Sequence, residues 1–243
     1  MKISENLIVI PARYKSSRLP KKILADIHGY PMIYWVAKRL EKANLTDFVV
    51  AADDDIVMNA CKKFNIPVVM TNVNLRNGTE RVYEVSGLFP EYSNFINVQG
   101  DEPLINIEVV IDIARNSKKH AFNTAVSKIQ IEAPNNPSEV KVALTRDNRI
   151  VYASRAEIPY FRSGLSHRFK IHGVYQYRRD ILEQFIKADI GPLEECENIE
   201  QLRCIEANIP IYGIVTQSSE RSVDTLEDLE YMQNQSQSLF DIY

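Results

Sequence analysis

NLIVIPARYKSSRLPKK, residues 6–22, decides the fold. Its opening run, Asn6 to Ile10, is the length of a buried strand rather than of a helix. Pro11 cannot donate to a ladder, so the strand is expected to stop there. The loop that follows holds Arg13, Lys15, Arg18, Lys21 and Lys22, with Ser16 and Ser17 among them and no acidic residue. A buried parallel strand whose C-terminal end empties into a cationic loop is where α/β sheets bind phosphates. The loop has neither the glycines nor the GK[ST] triplet of a P-loop, and it is not a dinucleotide fingerprint. Side-chain cations, more than a glycine cradle, would grip the phosphates. The plain alternative is a solvated basic loop. Its place directly after the first buried strand favours the phosphate reading.

Outward from that loop, strands and helices alternate. Pro31 opens a helix to about residue 43, with Ile33, Trp35, Val36 and Leu40 at near-helical spacing and Lys38, Arg39 and Glu41 outside. Residues 48–52 form a second strand. Asp53, Asp54 and Asp55 then read as the N-cap of a helix to about residue 64. Residues 67–70 are a third strand. Asn77-Gly78-Thr79-Glu80-Arg81 opens a helix whose first N–H groups are free, and residues 94–98 are a fourth strand. This order predicts a parallel sheet with helices on both faces. After a helix at 107–117, the stretches 123–129, 139–144 and 150–153 read as strands separated by turns, with no long helix between. A strand at 170–177, a helix at about 179–187 and a strand at 210–216 follow. Residues 222–229 lead into the last helix. Glu194, Glu197 and Glu200 recur every third residue, which would line one helical face. The fold expected is a single α/β domain over 1–243, mostly parallel and Rossmann-like, with an antiparallel insertion at about 122–178.

Composition narrows the function. The chain has 243 residues, 45% hydrophobic and 25% charged, enough to bury a sizeable core. A net charge of −3 gives no general case for nucleic-acid binding, so the basic loop is local. Cys61, Cys196 and Cys204 have no CxxC spacing, which suggests neither a zinc site nor a disulfide framework. No signal segment and no run of eighteen apolar residues is seen, so a cytoplasmic protein without stable membrane association is expected.

Two further stretches carry chemistry. Gln99-Gly100-Asp101-Glu102-Pro103 sets two carboxylates in a turn at a strand's C-terminal end. Mg²⁺ takes such carboxylates together with substrate phosphate oxygens; a solvated polar turn is the alternative. Arg155, within a mostly apolar segment, needs an anionic partner. A bound carboxylate and a structural pair with a nearby glutamate are both open.

These strings resemble the sugar nucleotidyltransferases that make CMP-activated acid sugars. Within them they are most similar to the CMP-Kdo synthetases (3-deoxy-manno-octulosonate cytidylyltransferases). Residues 11–33, PARYKSSRLPKKILADIHGYPMI, resemble that family's signature, with Lys21 where the family has glycine and Lys22 matching its lysine. Asn77-Gly78-Thr79-Glu80-Arg81 resembles its SGTER string, with Asn77 for serine, and QGDEP matches at 99–103. Residues 152–160 are similar to FSRAxIPW, 193–203 to LExxExLEQLR and 223–229 to VDTPEDL. The resemblance implies cytidylyl transfer from CTP to a 3-deoxy-octulosonic acid sugar in lipopolysaccharide biosynthesis, with Mg²⁺ as cofactor and a homodimer. It implies Arg13, Ser16, Arg18, Lys22, Asn77, Gly78 and Thr79 at the nucleotide, with Arg13, Arg18, Lys22 and Asp101 catalytic. Asp101 and Asp224 would hold the metal. Gln99, Arg155, His172, Tyr175, Glu200 and Gln201 would bind the sugar. One departure stands out. Aligned on Gly173-Val174-Tyr175, the family's pocket histidine falls at Ile171, and His172 falls where the family has leucine. That loss points to a shifted sugar preference, with the 8-amino-3,8-dideoxy analogue as the leading candidate. The rival readings are a cytidylyltransferase for a sialic- or pseudaminic-type acid sugar and a non-catalytic CTP sensor.

Overall fold

β1 (Asn6–Ala12) is buried at every residue but Pro11. Burial on both faces marks the interior strand of a parallel sheet. The computed structural model describes residues 5–16, 18–129, 136–160, 162, 168–216 and 222–240; Ser17 of the basic loop lies outside them. The strand runs two residues further than the sequence predicts, pairing Pro11 with Ala51 and Ala12 with Ala52. Its other ladder ends at Val9, so Pro11 sits where only one neighbour remains, and proline is tolerated there.

The described residues fall into two compact units, Met1–Val110 with Glu220–Tyr243, and Ile111–Ser219. In the first, a 3-10 turn at Lys22–Leu24 leads to a short hairpin of β2 (Asp26–Ile27) and β3 (Tyr30–Pro31). Then come α1 (Met32–Lys42), β4 (Phe48–Ala52), α2 (Asp55–Lys63), β5 (Val68–Met70), α3 (Gly78–Leu88) and β6 (Asn94–Val98). α1 buries Met32, Ile33, Trp35, Val36 and Leu40 at helical spacing. The Trp35 indole N–H donates to the Ile27 carbonyl at 2.8 Å, tying the helix to the hairpin. The four long strands of this unit pair in parallel in the order β5-β4-β1-β6. The chain therefore leaves β1 to one side through β4 and β5, then returns to its other side with β6. β1 and β6 flank the point where strand order reverses, and ligands bind in the crevice at the C-terminal ends of such strands.

α4 (Ile107–Asn116) leads into the second unit. Its strands are β7 (Phe122–Lys128), β8 (Lys141–Leu144), β9 (Ile150–Ser154) and β10 (Phe169–Arg178), and its helices α5 (Arg179–Lys187), α6 (Pro192–Glu197) and α7 (Leu202–Glu206) precede β11 (Ile211–Val215). β10 runs antiparallel to β7 and β8, and β8 antiparallel to β9, as the pattern of short strands predicts. β11 instead runs parallel to β7, which carries this unit beyond the antiparallel stretch. The expected row of three carboxylates on one helix is not formed. Asn198, left-handed at φ 53°, closes α6, and α7 begins only after Gln201, so Glu200 lies outside the helix that carries Glu194 and Glu197. α8 (Leu226–Gln233) belongs to the first unit and opens with a capping box between Thr225 and Asp228. Among the described residues, no helix is long and apolar enough to cross a membrane.

Candidate active site

The site is built around Pro11, where β1 hands over to the basic loop. Two glycines allow close approach to it. A Cβ on Gly100 would lie 3.0 Å from the Pro11 carbonyl oxygen and 3.1 Å from Ile23 Cδ1. One on Gly78 would lie 3.3 Å from Asn97 Nδ2 and 3.4 Å from Pro11 Cγ. The turn after β6 and the start of α3 thus both close onto the end of β1.

Lys22 is the centre of the charge arrangement. Its Nζ lies 2.5 Å from Asp101 Oδ2 and 3.0 Å from Asp224 Oδ1, partners that stand 79 and 202 residues further along the chain. Arg18 Nη2 approaches Asp224 Oδ1 as well, at 3.0 Å. Burial by itself would lower the Lys22 pKa, but the two carboxylates outweigh it and hold the ammonium above its ordinary value. Backbone bonds fix the acids: Val223 N–H donates to the Asp101 carbonyl at 2.9 Å, and Asp224 N–H to Asp228 Oδ2 at 3.0 Å. Leu226, which replaces the family's proline, leaves this capping arrangement intact.

The remaining nucleotide candidates lie in the same unit. Asn77 caps α3, its side-chain oxygen accepting from Glu80 N–H at 2.8 Å, and Thr79 behind it is fully buried. Arg13 and Ser16 are half-buried in the loop, and Gln99 is half-buried at the end of β6. A cavity of about 420 Å³ is lined by Tyr14, Lys15, Ser16, Pro20 and Lys21. Lys21 holds φ at 57°, the left-handed region that favours glycine, and its ammonium sits 5.8 Å from the centre of the Tyr14 ring.

The acidic triplet divides differently from expectation. Asp54 is the N-cap, accepting from Ile56 N–H at 2.8 Å, and Asp55 lies in the first turn. Asp53 instead turns to the basic loop and accepts from Tyr14 N–H at 2.8 Å. Its other oxygen faces Arg81, whose side chain is fully buried.

The second unit holds the remaining sugar candidates. The Arg155 guanidinium donates to the carbonyls of Glu197 (3.0 Å), Pro137 (3.0 Å) and Asn198 (3.3 Å). Glu197 accepts from Ser154 Oγ at 2.6 Å and from Arg155 N–H at 3.0 Å. Glu194 forms a two-armed pair with the buried Arg203, at 2.6 and 2.7 Å. Gln201 is buried, with Nε2 3.3 Å from Glu200 Oε1, and the Tyr175 ring packs 5.8 Å from that of Phe122. Ile171 pairs with Val126 and Tyr175 with Thr124, so the register slips between them, across His172. His172 Nε2 is enclosed with no partner among the described residues. Burial first, then the Lys170 charge, pulls the imidazole pKa down to about 4.

Comparison with known proteins agrees with this geometry. Residues 7–218 match the family model described as Cytidylyltransferase. A 3-deoxy-manno-octulosonate cytidylyltransferase of Fusobacterium nucleatum is 41% identical over 231 residues, covering 93% of this chain and 94% of that protein. One of Tolumonas auensis is 39% identical, covering 92% of this chain and 94% of that protein. A solved CMP:2-keto-3-deoxy-manno-octonic acid synthetase complexed with CTP superposes with a TM-score of 0.87 at 36% identity, covering 95% of this chain and 97% of the other. The chain belongs to the cytidylyltransferase family, among the 3-deoxy-manno-octulosonate cytidylyltransferases.

Proposed function

We propose that this protein transfers the cytidylyl group of CTP to 3-deoxy-manno-octulosonate (Kdo), giving CMP-Kdo and pyrophosphate for lipopolysaccharide biosynthesis. The observation that carries the reading is the meeting of Lys22 and Arg18 with Asp101 and Asp224 beyond the reversal point of a parallel sheet, in a chain of this family. The anomeric hydroxyl of the sugar attacks the α-phosphorus and gives up its proton to solvent, the bond to the bridging oxygen breaks, and pyrophosphate leaves with the bonding electron pair. Such transfers ask mainly for alignment and charge neutralisation. Arg13, Arg18 and Lys22 hold the triphosphate and neutralise the leaving group; Ser16, Asn77, Gly78 and Thr79 seat the nucleotide.

Asp101 and Asp224 hold Mg²⁺ in this reading. Their oxygens converge on one ammonium, which supports a shared cation position. Among the described residues no cluster of three or more metal-binding side chains occurs. Mg²⁺ is commonly held by one or two carboxylates plus phosphate oxygens. When bound, it supplies charge neutralisation at the phosphates and lowers the sugar hydroxyl's pKa. Gln99, Glu200 and Gln201 are the sugar contacts, and the protein works as a cytoplasmic homodimer.

Ile171 favours a second substrate. An isoleucine cannot hydrogen-bond a sugar hydroxyl, and losing such a partner is worth about 1–3 kcal/mol, roughly ten- to a hundredfold in discrimination. His172 is neutral at pH 7 and does not repel an ammonium. The 8-amino analogue of Kdo is therefore the alternative acceptor. Pyrophosphate release from CTP is measured with each sugar, in the native protein and in Ile171→His/His172→Leu. Release with Kdo supports the main reading, and release with neither sugar contradicts it. Movement of the double variant towards Kdo supports the second reading; an unchanged preference rejects it.

A further inference from the structure

Asp53 and Arg81 stand outside the phosphate and metal assignments, yet they join the ends of β4 and β5, α3 and the basic loop. The two oxygens of Asp53 have different duties. Oδ1 accepts from Tyr14 N–H at 2.8 Å, and Oδ2 lies 3.5 Å from Arg81 Nη2. The Asp53 side chain is 6% exposed and that of Arg81 0%. Arg81 Nη1 donates to Thr71 Oγ1 and to the Asn72 carbonyl, and Thr71 Oγ1 donates to the Ala52 carbonyl at 2.7 Å. The strut thus runs from the end of β4 through the end of β5 to α3, and back to the residue between Arg13 and Lys15. Asp54 already caps α2, so helix capping does not account for Asp53.

The electrostatics fit a brace for a cationic loop. Burial lowers the proton affinity of Arg81; Asp53 and Glu84 oppose this, and the positive charge of Arg13 adds to it. Two like-charged guanidiniums are thereby held near each other, and Asp53 is the acid that most offsets the burial of Arg81. A loop that concentrates cations repels itself, and a fixed backbone is what keeps its charges aimed before the anion arrives.

We propose that Asp53 and Arg81 are positioning residues for nucleotide binding: they clamp the backbone at Tyr14 and so aim Arg13 at the triphosphate. The inference rests on the nucleotide reading of that loop, and it predicts a signature that plain stabilisation lacks. In Asp53→Ala the KM for CTP rises at least tenfold while the KM for the sugar stays within threefold. Hydrogen exchange of the Tyr14 amide accelerates at least tenfold while the Val9 and Ile10 amides stay protected. Asp53→Asn, which keeps an acceptor for Tyr14 N–H but no charge, falls between, and it decides the matter if the alanine variant does not fold. Arg81→Lys recovers part of the CTP affinity lost in Arg81→Met. An unchanged KM for CTP in the Asp53 variants, or a Tyr14 amide still protected in Asp53→Ala, overturns the proposal. Amide exchange is read without nucleotide, so a native protein that fails to use CTP defeats the functional reading while the strut is still judged.

Discussion

Lys22 and Lys141, one in each unit, use their charge in opposite ways. In the first, Lys22 reaches two carboxylates, Asp101 and Asp224, which remain 20% and 31% exposed and open to a ligand. In the second, Lys141 is buried and donates to the carbonyls of Asn136, Glu139 and Arg155, at 2.8, 3.1 and 2.7 Å. Arg155 likewise donates to three carbonyls. A cation held by carboxylates can exchange them for phosphates, and the freed carboxylates can take a metal ion. A cation held by carbonyls satisfies backbone groups that would otherwise be stranded. The difference teaches that a buried basic residue is a poor marker of a site until its partners are known.

The strongest way to break that contrast is Asp101→Asn. Turnover at saturating CTP should fall at least ~10³-fold, while urea unfolding stays cooperative because Lys22 keeps Asp224. Near-normal turnover would remove Asp101 from the metal and transfer chemistry. Next in size is Lys22→Ala, expected to lower turnover by about 10²-fold. Arg18→Ala should be milder, since its side chain is 63% exposed. An Arg18 effect larger than that of Lys22 would move the centre of the site outward along the loop.

Arg155→Met tests the other half of the comparison. Losing its carbonyl bonds should lower stability by about 2 kcal/mol, with kcat/KM per folded molecule within about threefold of native. A large loss of kcat/KM for the sugar at unchanged stability would return Arg155 to the sugar site. The smallest effect belongs to Lys21→Gly. Relief of the left-handed backbone, less the entropy glycine adds to the unfolded chain, should raise stability by about 0.5–1 kcal/mol. Turnover should change by less than about twofold. If Lys21→Gly harms turnover as much as Lys22→Ala, the two lysines exchange roles.

The part of this legible beforehand was the part set by periodicity and strand order. Buried runs at 48–52 and 94–98 appear as β4 and β6 within those bounds. The reversal point between β1 and β6 then places the basic loop and Asp101 at one end of the sheet. Side-chain partnering was not legible. Nothing in the spacing of Asp53, Asp54 and Asp55 says which one caps, because a cap depends on backbone angles that all three can adopt. Glu194, Glu197 and Glu200 had helical spacing, but Asn198 entered the left-handed region and ended the helix between them. Lys21 is the converse case: it stands where the resembling family has glycine, and its backbone φ is positive.

The most direct measurement is ³¹P NMR of the protein with CTP, Mg²⁺ and Kdo. The account predicts that the α-, β- and γ-phosphorus signals of CTP give way to one phosphodiester signal of CMP-sugar and one of inorganic pyrophosphate, in equal amounts of product, and that omitting Kdo prevents the change. CTP left intact with Kdo present, or free CMP appearing without it, would contradict it.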